Sequence, residues 1–321
     1  MAERWENDRK KSIKPHLLPE GQEMKGSSRK INGYTRVCGV MGNPVEHTMS
    51  PAIHNTLAEA LGENLVYVPF RVPAGQAGEA VQGAYALNLL GMNVTVPYKS
   101  QVIPYLKETD PLARTIGAVN TLVRVPEGFK GYNTDMPGLY RAMCRDGVSL
   151  EGEKILILGA GGVARAVAIL AADRKAAQIT LLNRTADRAV KVAEEVNGIA
   201  GRRIAEGKKL DTWSSLPEGE RYLAIQATNV GMFPNVGEAV IEDEAFYRKI
   251  HTGYDLVFNP AETKFMSNVR QGGGRAFNGL KMLLYQGIIA YELWTGVRVD
   301  QELAQKAYEA MKEAMGISDK G

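Results

Sequence analysis

KILILGAGGVARAVAIL, residues 154–170, decides the fold. Lys154 to Leu158 is an apolar run of strand length, Gly159 interrupts it, and from Val163 small and apolar residues recur at helical spacing. A strand that enters a glycine turn and leaves as a helix is the opening unit of a parallel α/β sheet. Within the turn, Gly159-Ala160-Gly161-Gly162-Val163-Ala164 fits the G-x-G-x-x-G/A dinucleotide fingerprint in its required setting. Gly159 permits the tight turn, Gly161 lets the backbone approach a pyrophosphate, and Ala164 allows the helix to close on the strand. The helix N-terminus then offers free N–H groups and a partial positive charge to the phosphates.

A glycine turn by itself is often only a turn, so the next strand matters. QITLLNRT, residues 178–185, ends in Asn183 where an NAD enzyme carries an acid for the ribose 2′-hydroxyl. Arg184, Thr185 and, one helical step later, Arg188 follow. A carboxylate would repel a 2′-phosphate, whereas guanidinium groups bind it through charge-assisted forks. Cations are disfavoured at a helix N-terminus unless an anion joins them, so solvated arginines are the weaker reading and NADP is expected over NAD.

Upstream, TRVCGVMG (35–42) and LVYVPFRV (65–72) read as strands. Between them SPAIHNTLAEALG reads as a helix, with Ser50 as N-cap and Pro51 at the first helical position. A further helix, the strand GMNVTVPYK, a helix, and two short strands joined by a Pro-Glu-Gly turn complete an α/β unit with a mostly parallel sheet. MPGLYRAMCRDGV reads as a connecting helix into the second unit. Downstream, YLAIQATNVGM and GYDLVFNP read as strands, and Gly279 to about Met315 as helix with a break at TGVRVD.

With 321 residues the chain exceeds one comfortable core, so two domains are expected. A net charge of +3, from 39 basic and 36 acidic residues, argues against a nucleic-acid partner. No apolar run reaches membrane-spanning length, and residues 1–33, charged and broken by Pro and Gly, read as a disordered tail without a signal-peptide core. Met24 is an alternative start, and docking of a partner enzyme by this tail is a weaker reading than a solvated segment. Cys38 and Cys144 read as buried free thiols in a reducing cytoplasm. Four histidines without metal-ligand spacing imply no metal.

Polar residues gather at the predicted strand ends: Thr48 and Ser50; Asn93, Thr95 and Lys99; Asn120; and Asp135 at the crossover into the second domain. Ligands of open α/β sheets bind beyond the carboxyl ends of strands. Hydroxyls, amides, one ammonium and one carboxylate suit a small polyhydroxylated acid. Taken singly each has a plainer reading: Ser50 a cap, Asn93 and Asn120 turn residues, Lys99 a surface lysine.

In combination, GNPVEHTMSPAIHN, NVTVPYK, GAVNT, YNTD, GAGGVAR and NRT stand in an order and spacing that resemble the shikimate dehydrogenase family from about Val37 to the C-terminal helices. The resemblance implies a substrate-binding α/β domain over 34–134 and 279–318, with a Rossmann NADP-binding domain inserted over 135–278 and the active site in the cleft between them. It implies NADP-dependent reduction of 3-dehydroshikimate to shikimate in aromatic amino-acid biosynthesis, by a cytoplasmic monomer or homodimer. Thr48 and Ser50 would hold the substrate carboxylate, and Asn93, Thr95, Asn120 and Gln286 the ring hydroxyls. Lys99 and Asp135 would be the catalytic pair, with Lys99 as general acid in reduction and general base in oxidation. Thr228, Met232 and Gly279 would join the turn residues and Asn183, Arg184, Thr185 and Arg188 around the cofactor.

Three positions depart from the commonest family pattern: Thr48 for a serine, Gln226 for the asparagine of Asn-Ala-Thr, and Phe258 for a tyrosine. They leave open an enzyme that also takes quinate, or a relative acting on an amino analogue. A non-catalytic NADP-binding regulatory protein is the alternative of another class; the presence of both Lys99 and Asp135 argues against it.

Overall fold

Apolar runs bounded by glycine and proline become the strands of two sheets in the computed structural model, which describes residues 31–317. The alternative start at Met24, and all but the last three residues of the expected tail, lie outside the described residues. The elements run β1 (Arg36–Gly42), α1 (Ser50–Ala60), β2 (Leu65–Arg71), α2 (Ala77–Ala86), β3 (Gly91–Val94), β4 (Glu108–Thr109), α3 (Pro111–Ile116), β5 (Thr121–Val125), β6 (Gly128–Tyr132) and α4 (Asp135–Arg145). Then follow β7 (Lys154–Leu158), α5 (Gly162–Asp173), β8 (Gln178–Asn183), α6 (Ala186–Ala200), β9 (Ala205–Lys209), β10 (Tyr222–Gln226), α7 (Glu244–Arg248), β11 (Ile250–Asp255), α8 (Lys264–Gln271), β12 (Arg275–Phe277), α9 (Leu280–Thr295) and α10 (Gln301–Ala314). The chain divides into two units, one reaching Pro137 and resuming at Gln286, the other Gly138–Tyr285.

The first unit holds a six-stranded sheet in the order β2-β1-β3-β5-β6-β4. β1 pairs in parallel with β2 and β3, whereas β5 runs antiparallel to both β3 and β6. Two reversals bring β6 back parallel to β3. The carboxyl ends of β1, β3 and β6 and the amino end of β5 therefore share one edge. Met41, Met92, Val94, Leu122 and Phe129 make the core on which α2 rests through Val81 and Ala84. The C-terminal segment returns to this unit: α10 packs on α1, and Trp294 donates its indole N–H to the Leu122 carbonyl at 2.8 Å. That seat is kept by Gly91, where a Cβ would lie 2.0 Å from the Trp294 Nε1.

α1 differs from expectation by one residue. Met49 is already helical in backbone, with no side-chain cap, so Ser50 is the first helical residue rather than the N-cap and Pro51 the second. The Ser50 hydroxyl is thereby released from capping. Ser50, Ile53, His54, Leu57 and Ala58 form the buried stripe of the helix. Cys38 is buried, as expected, but Cys144 is exposed because it falls on the outward face near the end of α4.

The second unit holds a wholly parallel sheet, β12-β11-β10-β7-β8-β9. Counted from β7, this is the doubly wound order 3-2-1-4-5-6 read in reverse, with the switch point beside β7. β7 and β10 are buried almost throughout, and for that reason read as unbroken apolar runs. β11 ends at Asp255, which is fully buried. Its carboxylate accepts from the Val257 N–H at 2.9 Å and the Thr263 hydroxyl at 2.6 Å, closing the loop into α8. No described helix is long and apolar enough to cross a membrane.

Burial pushes the Asp255 carboxyl up to about 6, against the two hydrogen bonds that favour its ionised form. A raised carboxyl pKa gives a stabilising contribution that is complete below the unfolded value and lost as pH rises through about 6. Asp255→Asn should flatten the stability profile between about pH 4 and 6.5, removing a dependence on the order of 2–3 kcal/mol. Denaturant melts of both proteins across that range check this; parallel profiles would contradict it.

Candidate functional site

The shared edge of the first sheet collects the polar residues singled out in the sequence. Asn93 lies in β3, in register with Thr121, and Thr121 is in turn in register with Tyr132 at the end of β6. Asn120 immediately precedes β5, and Asn133, Thr134 and Asp135 immediately follow β6. Asp135 opens α4, where the helix dipole favours a carboxylate. Its main-chain N–H donates to Asn133 Oδ1 at 3.1 Å, and Asn133 is itself tied to the Ala118 carbonyl at 3.0 Å.

Lys99 reaches this edge from the turn after β3. Its main-chain carbonyl accepts from the Val119 N–H, and its Nζ donates to Asp135 Oδ2 at 2.7 Å. The Asn120 amide donates to the other oxygen, Asp135 Oδ1, at 2.8 Å. Asn120 is held in turn: its Nδ2 also donates to Thr134 Oγ1 at 3.0 Å, and its Oδ1 accepts the Thr134 N–H at 2.7 Å. Both oxygens of Asp135 are thus satisfied by fixed donors, while about a third of the Lys99 side chain stays exposed (34%). A charge-assisted pair with one accessible member can hold a proton where a ligand reaches it.

Thr95, Thr48, Ser50 and Gln286 complete the set within this unit. The Thr95 methyl sits against Gly42, where a Cβ would be 2.4 Å away, and its N–H donates to the Met41 carbonyl. Thr48 Oγ1 accepts from the Ser50 N–H at 3.3 Å, and both Ser50 and Gln286 are buried. Tyr67, His54, Asn55, Thr121 and Thr134, none of them a candidate from the sequence, make up the packing behind this edge. A signal for one was available: Asn55 sits in the interior of a helix, a place asparagine rarely favours without a partner.

In the second unit, Gly159 has φ +115°, a conformation that other residues strain to adopt, and a Cβ there would meet Thr228 Cγ2 at 2.9 Å. At Gly161 and Gly162 a Cβ would meet nothing, so their backbone lies open to a ligand. Gly161 is the N-cap of α5; Ala164 is buried against the sheet and Val163 is half exposed. Asn183 closes the turn after β8 by donating to the Thr185 carbonyl at 2.9 Å. Arg184 and Arg188 are exposed at the start of α6 and have no carboxylate partner among the described residues. Two unpaired guanidinium groups beside a bare helix N-terminus and an open glycine turn fit the 2′-phosphate and pyrophosphate of NADP.

Gln226, one of the unusual residues, is fully buried and turns inward. It donates to the Val230 carbonyl at 3.0 Å and accepts from the Thr228 N–H at 2.6 Å and hydroxyl at 2.7 Å. It therefore sets the loop that presses Thr228 onto Gly159. Met232 is partly exposed on the same loop, and Gly279 allows its backbone to approach Leu256, whose carbonyl would be 2.4 Å from a Cβ.

These two residue sets on an α/β scaffold define a protein of the nicotinamide-dinucleotide-binding class. Family models agree: the shikimate dehydrogenase substrate binding domain matches residues 40–122, shikimate / quinate 5-dehydrogenase 142–210, and the shikimate 5′-dehydrogenase C-terminal domain 279–315. The shikimate dehydrogenase (NADP(+)) of Carboxydothermus hydrogenoformans is 39% identical over 289 residues, 90% of this chain and 99% of that protein. A shikimate dehydrogenase solved in complex with NADP+ is similar with a TM-score of 0.81 at 34% identity, covering 90% of this chain and 98% of that one. The shikimate 5-dehydrogenase of Listeria monocytogenes, solved with shikimate and NAD, is similar with a TM-score of 0.80 at 32% identity, covering 91% and 100%. The chain belongs to the shikimate dehydrogenase family.

Proposed function

We propose that this chain is an NADP-dependent dehydrogenase that interconverts 3-dehydroshikimate and shikimate, working in the cytoplasm as a monomer or homodimer on the route to aromatic amino acids. The observation that carries the reading is the Lys99–Asp135 pair at 2.7 Å, with the second carboxylate oxygen fastened by Asn120. The name borne by the relatives supplies the substrate; the residues supply a reason it fits. In this reading the substrate domain covers residues 34–134 and 279–318 and the NADP-binding domain 135–278, with Asp135 and Gly279 at the two junctions.

When bound, NADPH supplies the hydride that reduces the substrate's C3 carbonyl. Lys99 gives the proton that the resulting alkoxide oxygen needs, and its positive charge favours that oxygen as charge grows on it. Asp135 keeps the ammonium oriented, and in the oxidative direction Lys99, deprotonated, takes the hydroxyl proton. Thr48 and Ser50 bind the carboxylate, and Asn93, Thr95, Asn120 and Gln286 surround the ring hydroxyls. The turn Gly159 to Ala164 would take the pyrophosphate, Asn183, Arg184, Thr185 and Arg188 the adenosine 2′-phosphate, and Thr228, Met232 and Gly279 the nicotinamide half.

Lys99→Ala should lower turnover about 10²–10⁴-fold while leaving NADP affinity near normal. Near-normal turnover in that variant would remove Lys99 from the chemistry. A wild-type chain that binds NADP without oxidising shikimate would instead support a regulatory protein. Arg184→Ala should weaken NADP roughly ten- to hundredfold and leave NAD nearly unaffected, as expected for loss of a charged hydrogen bond. An unchanged NADP/NAD preference would contradict the assignment of the 2′-phosphate.

A further inference from the structure

Asn93 is held on every side by fixed partners. Its Nδ2 donates to the Asn120 carbonyl at 3.1 Å and to Thr121 Oγ1 at 3.0 Å, so both amide hydrogens are engaged. The Asn120 carbonyl can only accept, which fixes which end of the amide faces it. The Oδ1 accepts from the Tyr67 phenol at 2.7 Å, leaving one lone pair.

Tyr67 is itself fixed at three points. Its phenol is bound to Asn93. Its ring, fully buried, stacks on His54 at 4.2 Å between centroids with planes 13° apart. Its main chain is gripped by the Asn55 amide, which accepts from the Tyr67 N–H and donates to the Tyr67 carbonyl, each at 2.9 Å. Trp294 packs a second ring on His54 at 5.1 Å. The His54 ring lies beside the Asn93 amide, yet neither of its nitrogens makes a hydrogen bond of proper geometry. Burial holds His54 down to about 3, so the ring is neutral, with one N–H rather than two.

We infer that His54, Asn55 and Tyr67 are positioning residues that turn Asn93 into an acceptor-only group, so that it selects a substrate carrying a hydroxyl, a donor, at the ring position it meets. This rests on the reading that the polar edge binds shikimate. The consequence is specific: a substituent of similar size that cannot donate, such as fluorine, would bring acceptor against acceptor. Asn93 cannot rotate to offer its N–H groups without breaking three hydrogen bonds.

The test combines Tyr67→Phe with 4-deoxy-4-fluoro- and 5-deoxy-5-fluoro-shikimate, following initial rates and, separately, NADP affinity. In the wild-type protein one of the two analogues should lose about tenfold or more in kcat/KM relative to shikimate, and the other much less. Tyr67→Phe keeps the stacked ring. It should raise the KM for shikimate roughly three- to tenfold, leave kcat within about twofold, and leave NADP affinity unchanged. The discrimination against that one analogue should shrink with it. An unchanged KM, equal penalties on all three substrates, or a wild-type protein that takes both analogues like shikimate would overturn the inference. Should the variant fold poorly, seen as lost NADP binding, the wild-type comparison of the two analogues still decides. A wild-type protein inactive on shikimate itself would overturn the functional reading and the inference with it.

Discussion

The arrangement at the polar edge of the first sheet depends on one hydrogen bond, from the Asn120 amide to Asp135 Oδ1. Asp135 must offer a fixed carboxylate to Lys99, and a carboxylate on a helix start can rotate unless its second oxygen is held. Asn120 supplies that hold because β5 runs antiparallel between β3 and β6. In a purely parallel sheet its position at the amino end of a strand would face the opposite edge. The reversal in sheet direction thus brings residues at the ends of β3, β5 and β6 to one place.

A similar logic governs the second unit, where the shape of the backbone is the feature being held. Gly159 is held under Thr228, and Thr228 is held by Gln226, so the glycine turn is shaped from below by a loop that follows a different strand. The open backbone at Gly161 and Gly162 and the unpaired Arg184 and Arg188 then present a ready anion site. Gln226 does not point its amide outward, and its extra methylene relative to asparagine is taken up inside the loop.

Much of this was legible in the sequence because periodicity and glycine placement are local signals. The runs KILIL and YLAIQ announce buried parallel strands, and the glycine turn between strand and helix announces the nucleotide. What escaped reading has no such signal. β9, AEGKK, is an edge strand without an apolar face, β4 has two residues, and β12 three. α8 starts at a Thr263 cap that follows a long loop. Ser50 looked like a cap because Ser-Pro is a common helix start; the chain begins its turn one residue earlier. Cys144 looked buried beside Ala142 and Met143, but helical rotation carries it outward. The partners of Asn93, namely Tyr67, His54 and Asn55, could not be found from spacing, since their meeting depends on which strand lies beside which.

The most direct measurement is a set of initial rates for the unmodified protein with shikimate and with quinate, each with NADP and with NAD. Shikimate with NADP should be the fastest combination, exceeding shikimate with NAD by at least about tenfold, the least that one charged hydrogen bond at the 2′-phosphate provides. Rates with quinate or with NAD that match it would contradict the account, and would place the cause at Thr48, Phe258 or the Arg184 turn.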